Sequence, residues 1–192
     1  MPVVFSLCYP DATMLSSPDN LLVEGQQARS DRRLADAKQH FVRAADLCRK
    51  ANDQPMLARA ITALGQVERD LKNYRAAIKL YEDAAELYRK LEAPLNLAHT
   101  IRHIGDILQE QRKLDQAAPR YNEALKIYRS HGRTPPLDLA NAIRGLALLK
   151  ADTGDEEEAT FLWHEAKQLY EQVGVQAGVA ESESHIAFLM GR

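Results

Sequence analysis

Cysteine is scarce. Cys8 and Cys48 are the two present, and neither sits in a CxxC pair or a Cys/His ligand spacing. A disulfide framework is thereby excluded, and a reducing compartment becomes the default. Charge of one sign is lacking too, since 25 Lys+Arg against 27 Asp+Glu leave a formal net charge of −2. A general nucleic-acid binder needs basic excess to release counterions, so that class is set aside. No run approaches the roughly 18 apolar residues of a membrane-spanning helix. The short apolar stretch from Val3 to Leu7 has no Lys or Arg ahead of it and stops at Pro10–Asp11, unlike a secretory signal. Leu7 stands before Cys8 where a lipoprotein would want a small residue. The expectation is a cytoplasmic protein with no membrane and no nucleic-acid partner. Aromatics are few as well, with one Trp, seven Tyr and four Phe, thin for a single large core. GxxxxGK[ST], GxGxxG after a strand, HExxH, GxSxG and kinase signatures are all missing, so neither an enzyme nor a cofactor is expected.

What is present is a repeat. Gly25, Gly65 and Gly105 are spaced 40 and 40, and Phe41, Tyr81 and Tyr121 keep the same step. Ala44, Ala84 and Ala124 form a third column, and Cys48, Tyr88 and Tyr128 a fourth. A further copy follows after a two-residue insertion, with Ala147 in the glycine place and then Trp163, Ala166 and Tyr170. Chance does not keep four columns in step.

Each unit reads as two amphipathic helices. Ile61, Leu64 and Val67 stand three apart in one segment, and Ala77, Tyr81, Ala84 and Tyr88 form one stripe of the next, a helical period with no strand alternation. Small residues in the Gly and Ala columns let two helix axes approach, and the bulky columns fill the space beside them. Stacking bases on Phe41, Tyr81, Tyr121 and Trp163 is the rival reading, but core packing is expected, with Cys48 as a small buried residue. Pro55, Pro94 and Pro135 recur where proline suits a first turn, and Thr134 is the expected N-cap beside Pro135. Glu156, Glu157 and Glu158 open a helix, where acids complement its dipole. Pro119 falls about one turn into its helix and removes one early hydrogen bond.

Ile61-x2-Leu64-Gly65 followed by Ala77-x3-Tyr81 resembles the tetratricopeptide repeat (TPR) pattern. So do Ile101-x2-Ile104-Gly105 with Ala117-x3-Tyr121, and Ile143-x2-Leu146-Ala147 with Ala159-x3-Trp163. The first copy is weaker at Leu21-x2-Glu24-Gly25 but keeps Ala37-x3-Phe41. The unit exceeds the usual period of about 34 residues and is similar to the long-period variants of kinesin light chains and Pins-type adaptors. The resemblance implies an all-α, right-handed TPR α-solenoid of about four helical hairpins plus a C-terminal capping helix. Repeats are expected at about 18–57, 58–97, 98–139 and 140–179, with the capping helix at about 180–190, in a single domain over 18–192. Residues 1–17 are expected to be a flexible lead, the alternative being a cap made by Val3, Val4, Phe5 and Leu7.

In TPR proteins the first helices line a concave groove that holds a peptide. Carried over by phase from seven residues before each Gly65-type position, the groove places in the second repeat are Arg59, Thr62, Ala63, Gln66 and Arg69. The third repeat supplies His99, Arg102, His103, Asp106 and Gln109, and the fourth Asn141, Arg144, Gly145, Leu148 and Ala151. Asp19, Leu22, Val23, Gln26 and Arg29 come from the first. The middle of this set is basic and amide-rich. Arginine forks grip carboxylates and amides bond peptide backbone, so the expected ligand is a short acidic or C-terminal peptide segment of another protein, with Arg59, Arg102 and Arg144 as anchors. His99, His103 and Asp106 share a face, but a helix-borne pair without further ligands is expected to be polar surface, and no metal is expected. Self-association as a scaffold and sensing of a small peptide signal are the rival functions.

Overall fold

A computed structural model describes residues 17–191, which form nine helices and no strand among them. They are α1 (Pro18–Ser30), α2 (Leu34–Ala51), α3 (Gln54–Asp70), α4 (Tyr74–Lys90), α5 (Pro94–Glu110), α6 (Leu114–Ser130), α7 (Pro136–Asp152), α8 (Glu156–Val173) and α9 (Gln176–Met190). Each packs on its neighbours in sequence, and α1 also meets α3, as α5 meets α7. This is an all-α solenoid of four hairpins closed by α9. The reading of Val3, Val4, Phe5 and Leu7 as a cap lies outside the described residues.

The columns explain the packing. Phe41, Tyr81, Tyr121 and Trp163 are essentially fully buried, as are Cys48, Tyr128 and the alanines at 44, 84, 124 and 166. A large apolar side chain such as Phe41 is worth about 1.5–3 kcal/mol when withdrawn from water, and an alanine methyl less. The bulky residues are therefore core, and burial pushes the Cys48 thiol up in pKa. The glycine column exists because the rings need its space. A Cβ on Gly105 would stand 3.1 Å from the Tyr121 ring, and one on Gly145 only 2.5 Å. Tyr121 is thus clamped between α5 and α7, which fixes where its hydroxyl points.

Helix ends follow local chemistry. Pro55, Pro94 and Pro136 stand in the first turns of α3, α5 and α7, where a missing N–H costs nothing. These helices begin at 54, 94 and 136, ahead of the divisions at 58, 98 and 140 drawn from the glycine phase, and α9 begins at 176 rather than 180. The turns inside hairpins close by a bond from the residue after the turn to a carbonyl five back, as in Asn73 N to Glu68 O at 2.8 Å and Lys113 N to Leu108 O at 2.9 Å. That closure demands a left-handed residue, and Arg32, Lys72, Arg112 and Gly154 take it with φ of 64°, 63°, 58° and 84°. Only Gly154 does so without steric cost.

Thr134 requires a correction. It is not the N-cap of α7, which is Pro135. Its hydroxyl turns back and donates to the Tyr128 carbonyl at 2.7 Å, with the His131 carbonyl 3.0 Å away. The end of α6 has orphan acceptors, whereas Pro136 at the start of α7 has no N–H to offer. Pro119 lies inside α6 as expected. No helix among the described residues is long and apolar enough to cross a membrane.

Candidate functional site on the concave face

The first helices bring the groove places together, but they spend most of their charge on one another. Arg29 Nε meets Asp70 Oδ2 at 2.6 Å, and its Nη1 reaches Gln66 Oε1 at 3.3 Å. Arg69 repeats the arrangement one unit on, donating to Glu110 and, at 3.2 Å, to Asp106 Oδ2. Arg112 pairs with Asp152 at 2.7 Å. Arg144 forks onto Glu181 of α9 through bonds of 2.7 and 2.6 Å. Each cation thus holds a carboxylate of the following unit. Sequence reasoning counted the arginines and missed Asp70, Glu110 and Asp152, which recur one place beyond the groove set. The column was there to be read. It makes the middle of the groove alternate in sign rather than purely basic.

At the centre stands Asp106, whose side chain is only 14% exposed. Arg102 Nη1 donates to its Oδ2 at 2.8 Å, and His103 Nδ1 does so at 3.1 Å. Tyr121 donates its single proton to Oδ1 at 3.0 Å. The same hydroxyl then accepts from Gln109 Nε2 at 2.8 Å, and that amide reaches Gly145 O at 3.2 Å, tying α5 to α7. With Nδ1 protonated, His103 Nε2 is an acceptor for Arg102 Nη2 at 3.2 Å and His99 Nε2 at 3.1 Å. Tyr81 stacks on the His103 ring.

The protonation states follow from these contacts. Burial, and then the Arg102 charge, push His103 down to about 3, and the same two causes lower His99. Burial alone would raise the Asp106 pKa. The His103 hydrogen bond and the charges of Arg102 and Arg69 outweigh it and hold the carboxyl well below its usual range. Burial, reinforced by Asp106, drives the Tyr121 hydroxyl far up. Both histidines are neutral at pH 7. The unfolded state, with histidine near 6.5, binds protons that the folded state refuses. Stability should therefore be full above about pH 6.5 and fall as pH drops towards 3, a slope that His103→Gln flattens in pH-dependent urea titrations.

The paired imidazoles do not suit a metal. Their Nε2 atoms converge, but Arg102 places a cation 3.2 Å from one of them, and Asp106 engages the opposite ring nitrogen. No group of three His, Cys, Asp or Glu side chains among the described residues is arranged to hold an ion.

The other places divide clearly. Arg59 is exposed and lies 3.6 Å from Asp19. Thr62 is buried and donates back to Ala58 O. Asn141 Oδ1 accepts from Tyr170 at 2.9 Å. Arg69, Arg102, Asp106, Arg144 and Leu148 border a hollow of about 500 Å³ on the concave face. Its walls are mostly polar, with Leu148 at one side.

Residues 25–90 match the tetratricopeptide repeat family. No curated protein matches the sequence. The fold is similar to aspartyl phosphate phosphatase F from Bacillus subtilis, at a TM-score of 0.82 and 14% identity over 90% of this chain and 45% of that one. It is similar also to the apo form of RapI, at 0.81 and 12% over 94% of this chain and 65% of that one. A third likeness is to a STAND signal transduction ATPase with a tetratricopeptide repeat sensor from Pyrococcus horikoshii, at 0.79 and 17% over 94% of this chain and 28% of that one. At such identities the likeness establishes the fold, a TPR-type helical solenoid. The chain spans less than two thirds of each of these proteins.

Proposed function

We propose that the chain is a non-enzymatic cytoplasmic adaptor that holds a peptide segment of another protein in its concave groove. The repeat step of 40 residues also leads us to place it with the long-period TPR variants. The observation that carries the reading is the concave hollow bordered by Arg102, Asp106, Arg144 and Leu148, where charged and amide groups stand on rigid helices. One structural neighbour carries tetratricopeptide repeats described as a sensor, in keeping with a recognition role.

The expected ligand carries a carboxylate, from an acidic residue or a chain end. Arg144 is 39% exposed and Glu181 33%, and an ion pair of that exposure contributes only about 0–1 kcal/mol. A ligand carboxylate can take Glu181's place on the fork. The Arg59–Asp19 pair is looser still. Arg102 differs, because its charge is committed to Asp106, so it shapes the floor more than it meets the ligand. Thr62, Gln66, Arg69, His99, His103 and Asn141 act in the same supporting way.

An array of immobilised acidic and C-terminal peptides tests this with wild-type protein and an Arg144→Ala/Leu148→Asn variant. The wild type should retain a subset of peptides that the variant releases, with helicity by circular dichroism unchanged. Equal retention by both proteins defeats the reading.

A further inference from the structure

A second groove runs on the opposite flank, between α4 and α6. Both helices pack on α5 rather than on each other, and the space left over is a chain of three adjoining hollows of about 710, 480 and 540 Å³. Its floor is apolar where Ile104 and Leu108 of α5 meet Ile78 and the ring of Pro119. One end is strongly basic, with Lys72, Arg75, Lys79 and Lys113 on its walls. Arg75 and Lys113 are exposed and form no ion pair among the described residues, and Lys72 reaches Glu110 only at 4.0 Å. Lys79 alone has a close partner, Asp83 at 2.8 Å. Glu82 and Glu123 lie towards the apolar end.

One side-chain acceptor along this path lacks a partner. Gln111, one of the residues lining the groove, has its Oε1 buried without a donor, and a buried acceptor left unpaired is costly. Pro119 has no N–H to give the carbonyl of Asp115, four residues back and also on the wall. At the basic end no side chain caps the first turn of α4, and no acid lies in it. Unpaired cations and an apolar floor thus follow one another along a single track.

We propose that this groove binds an extended segment of a partner protein, with carboxylates at its basic end and an aliphatic side chain on the Ile78–Ile104–Pro119 floor. The segment's acids balance Arg75 and Lys113, which have no ion-pair partner among the described residues. It is a docking surface separate from the concave hollow, so one protein can be held on each flank.

The probe is a fluorescein-labelled peptide with a run of glutamates followed by alternating leucine and serine, measured by polarisation against the full chain. Wild type should bind it saturably, and Arg75→Glu/Lys113→Glu should weaken it by about tenfold or more. Both side chains are exposed, so circular dichroism should show the variant folded. The same charge reversal should have the same effect in the Arg144→Ala/Leu148→Asn background, where the concave site is disabled, which separates this groove from that site. The proposal is overturned by absent saturation, by an unchanged affinity in the charge-reversed variant, or by equal binding of a peptide with lysines for glutamates. Displacement by a single-stranded oligonucleotide more readily than by the unlabelled peptide would also overturn it.

Discussion

Replacing Asp106 with alanine should lower the unfolding free energy by about 3–5 kcal/mol, the usual cost of removing one partner from a buried charge pair. The carboxylate receives Arg102, Arg69, His103 and Tyr121 together. Without it, two guanidinium groups face each other, one of them with a side chain only 11% exposed. The Tyr121 hydroxyl loses its acceptor while the ring stays clamped between Gly105 and Gly145. Asp106→Asn should cost less, because it keeps the shape and one acceptor. Asp70→Ala, which breaks a more exposed pair with Arg29, should cost least. Urea denaturation followed by circular dichroism ranks the three. A loss below about 1 kcal/mol for Asp106→Ala would mean that the network contributes no more than a surface ion pair.

The same residue marks the limit of what the amino-acid sequence displays. Column periodicity reveals the helices, their pairing and the core, because burial recurs at the repeat step and every unit solves one packing problem. Asp106 was legible as a groove position on that ground. Its partners were not, since Arg69 and Asp106 are 37 residues apart and a step of 40 does not say which rotamer reaches across. Thr134 shows the other kind of loss. A threonine between two helices serves whichever end has unsatisfied groups, and only the bond to Tyr128 O reveals which. The α4–α6 groove was invisible for a third reason. Pro119 was readable as a missing hydrogen bond, but a groove is the space between helices, and no single residue records it.

Removing the side chain of Trp163 should cost a comparable amount, about 3–5 kcal/mol for a buried tryptophan cut to alanine. Trp163 is the one Trp of the chain, it is fully buried, and its ring stacks on His185 of α9 at 4.3 Å with 3° between the planes. It therefore joins the last hairpin to the helix that covers it. Because each unit of a solenoid contacts only its neighbours, the damage should stay local. Trp163→Ala should lower the midpoint of thermal unfolding by roughly 6–20 °C, at the 2–4 °C per kcal/mol usual for a domain of this size. Hydrogen exchange should accelerate in α8 and α9 well before α1 and α2. Trp163→Phe keeps much of the buried area and should lose less. Uniform acceleration along all nine helices would contradict this, since it would make the array one cooperative block rather than a stack of neighbours. Local loosening of α9 also matters for the groove. It frees Glu181 from Arg144, so the variant should open the fork that the proposed ligand carboxylate is to occupy.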